Sequence, residues 1–140
     1  MSSAAKPGIG TTLKVRNAGT PVTYTVIGEV KNVNGPNTSN EQIEVTNLDS
    51  PNNFKEFIGG LKDGGEVQFD MNWIKGAKQV QIRDDVVSAT KREYQVSWPT
   101  SPATVAVFTA FPTAFGMTAD PASAITSSIT LKLTADITWT

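Results

Sequence analysis

The 140-residue sequence contains neither cysteine nor histidine. Without cysteine the chain can form no disulfide and no thiolate site. The absence of both residues also excludes Cys/His zinc sites, a histidine general base and every histidine-dependent catalytic triad. We therefore expect a protein that is not an enzyme, has no metal site and needs no cofactor.

Charged residues are also scarce, at 18% of the chain, and they nearly cancel to a net charge of −1. Nucleic-acid binding requires clustered lysine and arginine, which this balance of 12 basic and 13 acidic residues does not favour. No apolar run is long enough to span a bilayer, and the N-terminus is neither a secretory nor a myristoylation signal. We expect a soluble protein, made in a cytoplasm, with no membrane partner.

The length and the hydrophobic content of 39% suit a single domain, which we place at residues 1–140. Residues 1–12 are small and polar, with Pro7, Gly8 and Gly10, and they are predicted to form an extended arm. A frayed terminus is the more common state of such a segment.

Alternation of apolar and polar residues, which is typical of half-buried strands, dominates the rest of the chain. The apolar faces are Leu13 and Val15; Tyr24, Val26 and Val30; Val67, Phe69, Met71 and Trp73; Tyr94, Val96 and Trp98; and Ile125, Ile129, Leu131, Leu133, Ile137 and Trp139. Residues 103–115 are apolar on both faces, as in a strand covered on both sides, and Pro112 predicts a bulge or an edge there. The pattern predicts a mainly β protein, an antiparallel sandwich or partial barrel of about seven strands.

A hairpin is predicted over residues 22–47. Its centre, residues 34–40, reads NGPNTSN and consists of turn-forming residues. Because this segment is too long for a tight turn, we expect it to be a protruding loop.

Two helices are predicted within this β pattern. In SPNNFKEFIGGLKDGGE, Ser50 can cap a helix, Pro51 suits its first turn, and Phe54, Phe57 and Ile58 follow helical spacing. This short helix would end at the glycine pair that follows. Residues 74–87 show mixed helical and strand spacing, and we interpret them as a longer helix.

Three patterns in the sequence could indicate a binding or catalytic site, but each is better explained by structure. Gly59 and Gly64 have the spacing of a phosphate-binding loop, but Gly65 and Glu66 follow in place of Lys-Ser/Thr, and a strand follows in place of a helix. Asp84 and Asp85 are adjacent on a predicted helix and point about 100° apart, so we interpret them as a solvated face. The aromatic residues that could form a sugar platform, Tyr24, Trp73, Trp98 and Trp139, lie in phase with aliphatic residues, which favours core packing.

The segment VTNLDSPNNFKEFIGGLKDGGEVQF, residues 45–69, resembles the signature of major tail tube proteins of long-tailed phages of the lambda type. That family shows T-x-x-D-S-P-G-G-aromatic-K/R-E-F-I-P-G-L-K-D-G-G-E-V, and the order of predicted elements is similar over essentially the whole chain. Asn52 and Asn53 replace the usual glycine pair, and Gly59 stands where proline is common. These departures keep turn or capping chemistry.

The resemblance implies a structural virion protein that polymerises as stacked hexameric rings into the hollow tail tube through which phage DNA passes. It implies assembly in the host cytoplasm, residence in the virion tail, and as partners further copies of the chain, tail tip and tail terminator proteins, a tape measure protein in the lumen, and double-stranded DNA in transit without specific binding. Alternatives are the tube protein of a contractile tail or secretion system, and a non-catalytic β-sandwich that binds a ligand.

The resemblance also implies site residues in three groups. Contacts between rings are expected at Lys6, Pro7, Ile9, Asn34, Pro36, Asn37, Thr38 and Asn40. The seam between subunits is expected at Ser50, Pro51, Phe54, Phe57 and Ile58. The lumen is expected to be lined by Thr25, Glu29, Gln42, Glu44, Thr130 and Lys132.

Overall fold

The computed structural model of the chain describes residues 8–19 and 21–140. Within these residues the elements are β1 (Thr12–Arg16), β2 (Tyr24–Val26), β3 (Glu29–Asn34), β4 (Ser39–Glu44), a 3-10 turn (Pro51–Asn53), β5 (Phe57–Asp63), β6 (Glu66–Asn72), α1 (Ala77–Ser88), β7 (Arg92–Trp98), β8 (Thr104–Thr118), β9 (Thr126–Leu133) and β10 (Thr138–Trp139). The mainly β, antiparallel class is confirmed, with ten strands where about seven were expected.

Eight strands form one antiparallel sheet in the order β2–β1–β7–β8–β9–β6–β3, with β10 added beside β8. The remaining two strands, β4 and β5, pair with each other in a separate two-stranded sheet. We call the chain from Ser39 to Asp63 the ribbon. The fold therefore consists of a sheet that encloses the core and a ribbon that lies outside it.

The pairing register keeps the apolar side chains of the large sheet on one face. Leu13 pairs with Val96, and Phe69 pairs with Ile129, so each strand adds to the same buried layer. The core consists of Leu13, Val15, Ile27, Val67, Phe69, Met71, Ile82, Tyr94, Val96, Ala106, Phe108, Ala110, Ile129, Leu131 and Leu133. The predicted apolar faces of β1, β6, β7 and β9 are confirmed.

The long strand β8 has different neighbours along its length. Residues 104–110 pair with β7, and residues 110–118 pair with β9. The register shifts between Pro112 and Ala114, which confirms the bulge predicted from the proline. Because pairing with β7 ends at Ala110, the second half of β8 has one strand neighbour among the described residues.

The predicted longer helix is confirmed as α1, which packs against β8 and contributes Ile82 to the core. Gln79 fixes its first turn, since its Oε1 atom accepts from the backbone N–H of Gly76 at 3.2 Å. The interpretation of both aspartates as solvated is wrong for Asp85, which is only 3% exposed and accepts from Arg92 Nε at 2.6 Å. Asp84 is exposed, as expected.

The predicted short helix is reduced to the 3-10 turn Pro51–Asn53, and the helical interpretation of Phe57 and Ile58 is wrong. Both lie in strand β5, where Ile58 pairs with Ile43 and Phe57 with Glu44. The physical reason is cross-strand pairing with β4, which satisfies the backbone of a segment too short to be stable as an isolated helix. Helical spacing of apolar residues was coincidental here.

The predicted hairpin over residues 22–47 is also wrong. Strand β3 pairs with β6, while β4 pairs with β5, so the two strands flanking the turn-rich segment enter different sheets. The segment between them is shortened to residues 35–38, because Asn34 lies in β3 and Asn40 lies in β4. A turn-rich sequence predicts a change of chain direction but not which strands pair.

Candidate assembly surfaces

The ribbon exposes apolar side chains on both of its faces. Ile43 and Ile58 are paired on one face, 42% and 53% exposed, while Phe57 lies on the other face beside Glu44 and is 52% exposed. Further exposed apolar residues of the ribbon are Val45, Leu48, Phe54 and Leu61. Several large apolar side chains exposed on one short element are typical of an interaction site, and here they lie on both faces of the ribbon.

The distal loop of the ribbon, residues 45–56, is held by its own hydrogen bonds. The Ser50 hydroxyl donates to Glu56 Oε2 at 2.7 Å, and the backbone N–H of Glu56 donates to Thr46 Oγ1 at 2.9 Å. Asn52 and Asn53 have φ angles of 52° and 60°. Positive φ favours glycine or asparagine, which explains why asparagine fits where the resembling family has a glycine pair.

Two glycines join the ribbon to the large sheet. A Cβ atom on Gly65, whose φ is +77°, would lie 1.9 Å from the backbone oxygen of Asn37. A Cβ on Gly35 would lie 2.5 Å from the backbone oxygen of Glu66. The loop 35–38 therefore crosses directly over the β5–β6 turn, and these contacts fix where the ribbon leaves the sheet.

The expected seam residues all lie in the ribbon. Ser50 takes part in the loop network and is partly exposed, and Pro51 opens the 3-10 turn and is exposed. Phe54 is 72% exposed, more than either Phe57 or Ile58. The structure thus places all five residues on the ribbon.

The expected inter-ring residues are divided between several places. Lys6 and Pro7 lie outside the described residues, and Ile9 is 83% exposed beside a groove of about 410 Å³ that also borders β3 and Trp98. Asn34 ends β3 and Asn40 lies in β4. Pro36, Asn37 and Thr38 form the crossing over the β5–β6 turn.

One face of the large sheet is polar over four neighbouring strands, and we call it the polar face. It comprises Glu29, Asn32 and Asn34 of β3, Glu66, Gln68, Asp70 and Asn72 of β6, Thr126, Ser128, Thr130 and Lys132 of β9, and Ala114, Gly116 and Thr118 of β8, all paired in register. Ser128 donates to Asp70 Oδ1 at 2.6 Å. The register thus brings small, acidic and hydroxyl side chains onto one surface.

The expected lumen residues separate into two sets. Glu29, Thr130 and Lys132 share the polar face, whereas Gln42 and Glu44 lie in the ribbon. Thr25 pairs with Val15 on the apolar side of the sheet, so it does not share the face of the first three. The reason is that Ile27 is the buried residue of this segment. Because side chains alternate along a strand, Thr25 lies on the same side as Ile27, and Tyr24 and Val26 lie on the opposite side.

Charged groups are paired near these surfaces. Lys132 Nζ lies 3.0 Å from Asp63 Oδ1, and the pKa of Asp63 is lowered by the backbone N–H of Gly65 and by Lys132. Glu93 accepts from Tyr24 Oη at 2.6 Å and from Arg16 at 2.9 Å. The Tyr24 hydrogen bond lowers the pKa of Glu93. Sequence reasoning missed this second group, because its members are distant along the chain.

Residues 8–19 and 21–140 contain neither a metal-binding cluster nor a membrane-spanning helix. No group of three or more acidic side chains is arranged to hold a metal ion. No α-helix there is long and apolar enough to cross a membrane.

The fold and its surfaces define a class of β-protein: an antiparallel sheet with a polar face, joined to a two-stranded ribbon whose apolar side chains are exposed. This combination is typical of proteins that associate with other chains. A family model described as "Lambda phage tail tube protein, TTP" matches residues 9–140. The chain belongs to this family of structural proteins, which are part of the virion tail.

Solved structures share this fold at low sequence identity. The tail of an empty gene transfer agent particle, determined with C6 symmetry, matches with a TM-score of 0.78 at 14% identity, covering 97% of this chain and 99% of that one. The tail tube of phage SPP1 matches with a TM-score of 0.67 at 11% identity, covering 95% and 78%.

A contractile system shows the same fold. The sheath–tube complex of the PVC extracellular contractile injection system matches with a TM-score of 0.67 at 16% identity, covering 96% of this chain and 90% of that one. No curated protein sequence matches the chain significantly.

Proposed function

We propose that six copies of this chain close into a ring through the strands of the polar face, and that the rings stack into a hollow tail tube for DNA. The main support for this proposal is the four-stranded polar surface β3–β6–β9–β8, whose first and last strands each have an open edge. Strand β3 pairs with β6 on one side, and residues 111–118 of β8 pair with β9 on one side, within the described part of the chain. Exposed edges of this kind are normally protected.

Pairing between copies would protect both edges at once. Neighbours in this set are antiparallel throughout, and four is an even number, so β8 of one copy and β3 of the next run antiparallel when the copies are related by rotation. The same contact therefore repeats around a ring and closes it. No strand reversal or second interface is required.

The size of such a ring follows from strand geometry. Six copies of four strands give a barrel of 24 strands. With strands about 4.8 Å apart and tilted by about 40°, the circumference is roughly 150 Å and the backbone diameter about 48 Å. Side chains on the inner surface leave a lumen of roughly 40 Å by the same estimate, which is wide enough for a duplex to pass without tight contact.

Charge on the polar face supports passage without binding. Among the residues paired in register on the polar face, Glu29, Glu66 and Asp70 outnumber the cation Lys132, which Asp63 neutralises at 3.0 Å. Phosphates adhere to proteins through lysine and arginine contacts, so a lumen with this balance repels the DNA backbone. We propose Glu29, Thr130 and Lys132 as lumen-lining residues, whereas Thr25 faces away from that surface.

The ribbon would add contacts between copies to those that the sheet edges make. We propose that Ser50, Pro51, Phe54, Phe57 and Ile58 lie at the seam with a neighbouring copy, with Gln42 and Glu44 at its margin. Ile9 and the segment from Asn34 to Asn40 would contact the next ring, together with Lys6 and Pro7 of the N-terminal arm. Exposure of these described residues in the isolated subunit supports the proposal.

The remaining parts of the proposal concern the whole chain and its partners. We propose that residues 1–140 act as one non-catalytic domain, that tail tip and tail terminator proteins close the ends of the tube, and that a tape measure protein occupies the lumen before DNA. The similarity to a contractile injection system keeps a contractile tail tube as the second candidate.

Electron microscopy of concentrated purified protein tests the central proposal. We expect rings or tubes with six-fold symmetry and a lumen of roughly 40 Å. A protein that stays monomeric at all concentrations would contradict it. Co-purification with a sheath protein that coats the tube would favour the contractile candidate over the lambda-type one.

A further inference from the structure

Stacking of rings needs two different surfaces at opposite ends of the subunit, and the structure contains a suitable pair. The first, which we call the rim, consists of Trp73, Ile74, Met117 and Ile125. The backbone N–H of Trp73 donates to Ile125 O at 2.8 Å, and the Trp73 ring contacts Phe115 edge to face at 5.7 Å. Ile74, Met117 and Ile125 are 59%, 51% and 47% exposed, so the apolar core is open to solvent at this end.

The second surface is a groove of about 630 Å³ at the other end of the same strands, which we call the Trp139 groove. Its lining includes Gly64, Leu133, Ile137 and Trp139. Trp139 stacks on Trp98 at 5.8 Å and remains 52% exposed. A concave surface of this volume with aromatic and aliphatic walls can accept several apolar side chains.

Strand β8 connects the two surfaces. Met117 lies near its end, and Val107 pairs with Thr138, next to Trp139. Met117 lies ten residue steps from Val107, which corresponds to roughly 33 Å at about 3.3 Å per residue. Strands of a barrel run from one end of the barrel to the other, so the rim and the Trp139 groove face opposite sides of the ring.

We propose that the rim of one copy docks into the Trp139 groove of a copy in the next ring. This inference rests on the proposed function and specifies its stacking contact. Contact between two different patches on opposite sides of the ring repeats along the tube axis, and it therefore propagates as an open filament. The charges agree with this direction of docking: Lys75 and Asp120 flank the rim, and the groove carries Lys62, Asp63 and the exposed Asp136. Because Lys132 neutralises Asp63, the exposed Asp136 is the acidic group of the groove that Lys75 can face.

Substitution at the rim tests the contact. Ile74→Asp should leave hexameric rings intact, because Ile74 lies after β6 and outside the edge strands, and should raise the protein concentration needed for tubes at least about tenfold, since a charge would be buried at the interface. Val87→Asp is the matched control, because Val87 is 91% exposed on α1 and away from both surfaces. Tubes of Ile74→Asp at the wild-type concentration would overturn the inference, as would loss of the rings themselves.

Reversal of charge gives a second readout. Lys75→Glu should reduce tube formation, and Asp136→Lys in the same chain should restore it at least in part. Equal defects in the single and double variants would count against the pairing of rim and groove.

Cross-linking identifies which segment of a neighbouring copy occupies the Trp139 groove. It does not require the fold to tolerate a charged substitution. Since the chain has no cysteine, Met117→Cys and Ala135→Cys proteins of different tagged mass can be mixed, assembled and oxidised or linked. A mixed dimer supports docking. Linking of Ala135→Cys to Leu48→Cys, and not to Met117→Cys, would assign the groove to the tip of a neighbouring ribbon.

The two proposals fail in different ways. Absence of rings and tubes in the wild-type protein would contradict the proposed function. Normal wild-type tubes without the Met117–Ala135 link would contradict only the docking of the rim.

Discussion

Replacement of Phe54 by alanine separates a core role from an assembly role. Phe54 is 72% exposed in the isolated subunit. A phenylalanine buries about 150–250 Å², so roughly 140 Å² of it remains available to a partner. At about 25 cal/mol per Å², burial of that area contributes about 3.5 kcal/mol to assembly, or several hundred-fold in the concentration required.

The matched control is Phe108, which is 2% exposed in the core. Phe108→Ala should lower the free energy of unfolding by about 3–5 kcal/mol. Phe54→Ala should lower it by less than about 1.5 kcal/mol, since only the remaining quarter or so of its surface is covered within the subunit. The two variants remove the same side chain and differ in what covers it.

Urea unfolding of dilute protein measures the first quantity, and sedimentation or electron microscopy over a concentration series measures the second. We expect Phe54→Ala to unfold nearly as the wild type does and to assemble only at much higher concentration. The reasoning is refuted if Phe54→Ala is as unstable as Phe108→Ala, or if it assembles at the wild-type concentration.

Other variants test the turn and the polar pairs. Gly65→Ala should lower the free energy of unfolding by about 3 kcal/mol, because alanine is strained at a φ of +77° and its Cβ would meet Asn37 O. Gly116→Ala is the control, since nothing lies within 4 Å of its Cβ. Equal urea midpoints for the two variants would contradict the argument. The pKa of Glu93 is lowered mainly by Tyr24, so this stabilisation is present above about pH 4.3 and is lost as the pH falls through the folded-state value. The urea midpoint of Tyr24→Phe should therefore fall less on acidification than the midpoint of the wild type. If both midpoints fall equally from pH 7 to 3, the hydrogen bond contributes nothing to this pH dependence.

Much of the sheet could be predicted from local alternation. Val67, Phe69 and Met71 lie on one face of a strand whatever that strand pairs with, because side chains alternate with a period of two. Pro112 predicted a bulge for an equally local reason, the missing N–H. The lambda-type resemblance of residues 45–69 depended on sequence alone as well.

The predictions that were wrong concern pairing and phase over longer distances. Phe57 and Ile58 have helical spacing with Phe54, but the partner strand β4 determines their conformation. Tyr24 and Val26 were predicted to face the core, whereas the pairing of Thr25 with Val15 places both residues on the other side of the sheet. A shift of one residue exchanges the two faces of a strand, and nothing within so short a strand fixes the choice.

The sequence by itself determined the class of the protein: antiparallel β, without cysteine or histidine chemistry, and with the phrase that marks the tail tube family. Only the tertiary structure decided that β4 and β5 leave the sheet as a ribbon and that the polar face has two open edges. The physical reason is that alternation, turns and charge are properties of neighbouring residues, whereas strand pairing depends on which backbone groups find partners far along the chain.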